Sequence, residues 1–148
     1  MERLDVFLLG QRVGVLESDR GSLSFRYLPE YLRKNDAVAI SYSLPLQPEP
    51  FDSPTTGVFF DNLLPPDVIR KRLGKILHLS RHNMFGFLKA IGGDCAGAIA
   101  LYPPSGTESE AASAPTLREL SEEEASQILT DLPKRPLNIG KEKAIMYR

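Results

Sequence analysis

Cysteine is almost absent from this sequence: Cys95 stands alone. A single thiol rules out an internal disulfide and gives no sign of an oxidising compartment. Long apolar runs are scarce as well. The stretch near the N-terminus, Val6 to Leu9, has four residues, too short for the core of a secretion signal and far too short to span a bilayer. The expectation is a cytoplasmic protein with no membrane partner. An excess of either charge is also lacking, with 18 Lys and Arg against 19 Asp and Glu and a net charge of −1. Binding to a phosphate backbone needs clustered cations, so this balance offers no long-range attraction to nucleic acid. Direct nucleic-acid binding is not expected.

What is present is an average globular composition, 42% hydrophobic and 25% charged over 148 residues. A chain of this length buries about 68–70% of its unfolded surface and needs no metal or disulfide to fold. Leu4 to Leu9 reads as a strand, and Gly10-Gln11 offers a two-residue turn. Val13 and Val15 then alternate with Arg12 and Gly14, and Asp19-Arg20-Gly21 marks a second turn. Leu23, Phe25 and Tyr27 follow at period two. These segments predict a three-strand antiparallel meander. A helical turn around Pro29 to Arg33 comes next, and Ala37 to Ile40 reads as a fourth strand.

Prolines 45, 48, 50 and 54 hold the following stretch extended. Ser53-Pro54 predicts a helix N-terminus with Ser53 as the cap. That helix carries Val58, Phe59, Phe60, Leu63 and Leu64, with Phe59/Leu63 and Phe60/Leu64 four apart. Pro65-Pro66 ends it and starts another, in which Ile69, Leu73, Ile76 and Leu77 form one stripe and Lys71, Lys75 and His78 lie opposite. Met84, Phe87, Leu88 and Ile91 repeat the helical spacing, with Gly92 as a C-terminal stop. Ala98 to Tyr102 returns as a strand. Residues 104–116 are almost all Pro, Ser, Gly, Thr, Glu and Ala, a composition that reads as a flexible linker. Ser121-Glu122-Glu123-Glu124 is a capping box for a last helix. The predicted fold is α+β. An antiparallel sheet, open or barrel-like, packs with about three helices over residues 1–103; a linker spans 104–116 and a helical appendage 117–148.

No motif here assembles a reaction centre. Gly92-Gly93-Asp94-Cys95-Ala96-Gly97 has helix before and strand after, the reverse of a phosphate-binding loop, and reads as a tight turn. His78 and His82 lack the further ligands that a zinc site needs, so both read as solvent-facing. Cys95 reads as a small buried hydrophobe rather than a nucleophile. Pro45-Leu46-Gln47-Pro48 has PxxP spacing but no adjacent cation, and Leu44, Leu46 and Phe51 read as packing onto the domain. Arg70, Lys71, Arg72 and Lys75 form the densest basic cluster and read as the solvated face of a helix. No catalytic, cofactor or metal site is expected.

Five stretches together resemble the N-terminal subdomain of HipA-type serine/threonine kinase toxins. They are Val6-Phe7-Leu8-Leu9-Gly10-Gln11-Arg12-Val13-Gly14, Leu23-Ser24-Phe25-Arg26-Tyr27, Ile40-Ser41-Tyr42-Ser43-Leu44-Pro45-Leu46, Phe59-Phe60-Asp61-Asn62-Leu63-Leu64-Pro65 and Ile91-Gly92-Gly93-Asp94-Cys95-Ala96-Gly97-Ala98. The likeness covers about residues 4–103, and the helix near 121–131 with Pro136-Leu137 is similar to the next part of such proteins. The resemblance offers no positions for the glycine-rich ATP-covering segment or the catalytic and magnesium-binding Asp residues, so it implies a chain without kinase activity or ATP binding. It implies two situations. In the three-gene HipBST relatives, a small HipS protein of this kind restrains a separate HipA/HipT-like kinase; otherwise the chain is a shortened product of a HipA-like kinase gene. Because HipA-like kinases assemble with a DNA-binding partner, a further alternative is an accessory subunit of a DNA-bound toxin-antitoxin complex, with a HipB-like DNA-binding protein as a partner through that complex. The expected docking surface is the turn between the two helices, with Asn62, Leu64, Pro65, Pro66 and Val68, where apolar residues outnumber those one core face requires.

Overall fold

In a computed structural model, residues 1–94, 98–104 and 121–131 are described. The chain divides into two compact units, Met1–Ala111 and Ala112–Arg148. In the first, β1 (Glu2–Leu8), β2 (Gln11–Asp19), β3 (Ser22–Tyr27) and β4 (Ile99–Tyr102) form an antiparallel sheet in the order β3-β2-β1-β4. The sheet is open, not closed into a barrel, so the expected α+β class holds in its open form.

Both hairpins turn on two residues with positive φ: Leu9 and Gly10 at 51° and 80°, Arg20 and Gly21 at 50° and 87°. This is the turn type whose twist matches that of paired strands. The first turn therefore lies one residue earlier than the predicted Gly10-Gln11, and Gln11 already pairs with Leu8. Leucine occupies a position where side chains are disfavoured; its N–H donates to the Ala98 carbonyl at 2.9 Å, tying the turn to the chain entering β4.

The inner face of the sheet follows from the registers. Leu4 opposes Leu16, Leu16 opposes Phe25, and Val6 opposes Leu101, all buried. Across the other face, buried Asp5 accepts from Arg12 at 2.7 Å, and Phe7 meets Tyr102 edge-on at 5.7 Å. Three helices supply the rest of the core: α2 (Ser53–Asp61) through Phe60, α3 (Asp67–Leu77) through Leu73, and α4 (Met84–Ile91) through Phe85, Phe87, Leu88 and Ile91. Phe60 packs 5.8 Å from Phe25.

The expected strand at Ala37–Ile40 does not form. A one-turn helix, α1 (Pro29–Leu32), precedes this stretch, and its buried Tyr31 captures the chain instead. The Tyr31 hydroxyl donates to the Val38 carbonyl at 2.9 Å and accepts from the Val38 N–H at 3.1 Å. The Tyr27 hydroxyl accepts from Ile40 N–H at 2.9 Å and donates to the Leu44 carbonyl at 2.5 Å. Two phenols thus satisfy backbone groups that a neighbouring strand would otherwise have paired. Burial pushes the Tyr27 phenol above its usual 10.0; the Ile40 N–H pulls it partly back and Tyr31 adds to the rise.

The cap of α2 also differs from expectation. Asp52, not Ser53, accepts from the Thr55 N–H, and the Thr55 side chain, then this N–H, lower the Asp52 pKa. Ser53 Oγ instead accepts from the Leu23 N–H at 3.1 Å, which pins the helix start to β3. Gly92 continues α4 into a short 3-10 turn, Gly92–Asp94, with φ −64°, so it is not a left-handed stop. It is glycine because a Cβ would lie 2.8 Å from that of Leu101. The second unit contains α5 (Glu122–Asp131), whose capping box forms as predicted: Glu124 N–H donates to Ser121 Oγ at 3.2 Å and Ser121 N–H to Glu124 Oε2 at 3.1 Å. Cys95, the segment from residue 105 to 120 and the basic tail lie outside the described residues.

Candidate docking surface

The connection between α2 and α3 is held by a clamp. Arg70, in the second turn of α3, reaches back over it. Its Nη1 donates to Asp61 Oδ1 at 2.6 Å, its Nε to the Pro65 carbonyl at 2.8 Å, and its Nη2 to the Asp61 carbonyl at 3.3 Å. A guanidinium suits this because its rigid fork presents several donors at once. The Arg70 side chain is consequently only 15% exposed. It does not belong to a solvated basic face, as the sequence cluster had suggested, whereas Lys71, Arg72 and Lys75 are exposed. Leu64 N–H to Asp61 O at 3.1 Å closes the turn from inside, and Pro65-Pro66 stiffens it.

The clamp sorts the five candidate residues. Leu64 is 7% exposed and serves as the plug beneath the turn. Pro65 is half-buried; Asn62 and Pro66 are exposed, and Val68 is 70% exposed. The solvent-facing part of the surface is therefore Asn62, Pro66 and Val68 on a locked turn. An aliphatic side chain held this way loses little entropy on docking. Sequence reasoning missed Asp61 and Arg70. They are nine residues apart across a turn, and no helix or hairpin spacing rule couples such a pair.

The other candidates are dispersed. His78 takes a left-handed conformation, φ 54°, as the C-cap of α3, and exposed His82 accepts from Arg81 at 3.0 Å through Nε2. Among the described residues no His, Cys, Asp and Glu side chains gather as a metal site, and no helix is long and apolar enough to cross a membrane. Leu44 and Phe51 are buried as expected, but Leu46 is 39% exposed. Pro45 and Pro48 also face solvent. Tyr42, fully exposed, tips a turn closed by Leu44 N–H to Ser41 O at 3.1 Å.

The chain has counterparts among known proteins. The HipA N-terminal domain family model matches residues 4–102. The chain belongs to the HipA N-terminal domain family. It is 36% identical over 142 residues to “Putative kinase Y4mE” of Sinorhizobium fredii, an overlap of 94% of this chain and 34% of that protein. Identity to an uncharacterized Haemophilus influenzae protein is 30% over 94 residues, which is 64% of this chain and 85% of that one. Among solved structures, a chain of the Shewanella oneidensis complex of HipA, HipB and operator DNA superposes with a TM-score of 0.67 at 27% identity, covering 97% of this chain and 33% of that one. A solved N-terminal domain of HipA toxin gives 0.55 at 26% identity, covering 72% and 96%. The chain thus spans about a third of Y4mE and of the Shewanella chain, and most of the two shorter matches.

Proposed function

We propose that this HipA-family module is non-catalytic and acts as a HipS-like antitoxin, binding and restraining a HipA/HipT-like serine/threonine kinase. The observation that carries the reading is a HipA N-terminal domain with a clamped, solvent-facing connection between two core helices that exposes Asn62, Pro66 and Val68. A Haemophilus protein matched over 85% of its own length supports the view that the module occurs by itself. Phosphoryl transfer needs metal clamps, and among the described residues no three His, Cys, Asp or Glu side chains gather to hold a metal. The kinase is the partner, in the cytoplasm, and a HipB-like DNA-binding protein joins through it; the similar Shewanella structure is a complex of HipA, HipB and operator DNA. The test is co-expression with a family kinase that lacks this module. Co-purification and relief of its toxicity support the reading; a kinase left free and fully toxic refutes it.

One observation favours a second reading, a shortened, inactive product of a HipA-like kinase gene. The likeness to Y4mE runs over 94% of the chain, well past the family domain. A neighbouring gene for a kinase without this module separates the two, because a shortened product has no need of one.

A further inference from the structure

The outer face of α3 has a composition that the fold does not require. Residues 68–93 carry six of the chain's 18 Lys and Arg and none of its 19 Asp and Glu. Solvated helices ordinarily place carboxylates three or four residues from their cations, and α3 does not do so after Asp67. Val68, Lys71, Arg72, Lys75 and Ile76 follow the i, i+3, i+4, i+7, i+8 pattern of one helical face, yet all five are exposed, Val68 at 70% and Ile76 at 48%. The core face is the other one, with Leu73 and Gly74 buried. The predicted stripe therefore loses Ile76 to solvent. Among the described residues no ion pair involves Lys71, Arg72 or Lys75.

The end of the helix adds to this face. His78 turns the chain back so closely that a Cβ on Gly74 would lie 2.6 Å from the Leu79 carbonyl. Arg81 is thereby laid alongside Lys71 and Lys75, and these residues line a shallow cleft of about 260 Å³. Arg81 meets Asp67 at 3.9 Å through Nη1, with both side chains more than half exposed, and donates to His82 through Nε, which keeps its charge at the surface.

We propose that this face is a docking strip for an acidic protein surface, in which Lys71, Arg72, Lys75 and Arg81 meet carboxylates and Val68 and Ile76, one at either end, make apolar contacts. The inference rests on the kinase-binding reading and extends it from the clamped turn along the whole of α3, since Val68 belongs to both. Protein is favoured over nucleic acid by the two aliphatic side chains at the ends of the strip. A phosphate backbone offers them nothing, whereas a protein surface supplies both carboxylates and apolar side chains. The complementary patch on the kinase is therefore rich in Asp and Glu, with apolar side chains at its two ends.

The experiment measures binding of the full chain to a family kinase lacking this module, at low and high salt, for wild type, Lys71→Glu/Lys75→Glu, Lys71→Gln/Lys75→Gln and the control Arg33→Glu/Lys34→Glu. The charge-reversed variant should bind about tenfold more weakly or worse, mainly through slower association, and lose much of the salt dependence. The neutral variant should fall between, and the control should match wild type, all with unchanged thermal midpoints. Wild-type binding that is indifferent to both salt and charge reversal overturns the strip but leaves the kinase reading intact. No binding by wild type overturns both. Tight, reversal-sensitive binding to a short mixed-sequence DNA duplex, with no such sensitivity toward the kinase, makes the face a phosphate-binding one and also overturns the proposal.

Discussion

Leu9 holds φ at 51° with its side chain 82% exposed, so the backbone strain there is not offset by burial. Left-handed backbone costs an L-residue about 1–2 kcal/mol, less for asparagine. Leu9→Asn should therefore raise stability by about 1 kcal/mol, read from chemical denaturation, because the N–H bond to Ala98 is a backbone feature that survives. Tyr27 is the opposite case, a side chain whose single hydroxyl organises several residues. Tyr27→Phe leaves the Ile40 N–H and Leu44 carbonyl without their partner and should cost about 1–3 kcal/mol. The pH dependence has a definite sign. The folded phenol holds its proton more tightly than the unfolded one, so its contribution is intact below the ordinary value of 10.0 and declines as pH rises through 10.0 toward the raised folded value. Denaturation of wild type should show that decline, and the phenylalanine variant should lack it.

Among elements, the α2–α3 connection depends on the Arg70 fork. Arg70→Lys keeps the charge but loses the multiple, planar donation to Asp61 and Pro65. The expected result is a modest stability loss, about 1 kcal/mol, with increased hydrogen exchange at residues 61–64 and weaker kinase binding. Unchanged exchange there would mean that the prolines alone hold the turn. The elements also show where the chain could be read directly. The meander, α2 to α4 and the α5 capping box were legible because period two, period 3.6 and Ser121/Glu124 spacing are local signals. The strand expected at Ala37–Ile40 failed for a nonlocal reason, since Tyr27 and Tyr31 hydroxyls bind the backbone there, and propensity carries no information about a phenol several residues away. The first turn was displaced by one residue because a glycine signal does not say which turn position it occupies. At the candidate site, Val68, Pro66 and Asn62 were legible as a proline-bounded turn. The burial of Leu64 and the inward fold of Arg70 were not, because both depend on how α3 crosses the end of α2.

At the scale of the whole molecule, the proposed function has this HipA N-terminal module work through its surface rather than through chemistry. It predicts no heat of ATP binding by calorimetry with magnesium present; micromolar affinity would show that the chain carries a nucleotide site of its own. The most direct measurement is a paired one on Val68→Asp, comparing affinity for a family kinase lacking this module with the thermal unfolding midpoint. Val68 is 70% exposed, so a carboxylate there meets water in the free chain and the midpoint should stay nearly unchanged. In the proposed complex the same carboxylate replaces an apolar contact and faces the kinase's acidic patch, and affinity should fall by about tenfold or more. Wild-type chain that binds and restrains the kinase, and a variant that folds equally well but does not, is the predicted result. A variant that binds as tightly as wild type, or a wild-type chain that ignores the kinase, contradicts the account.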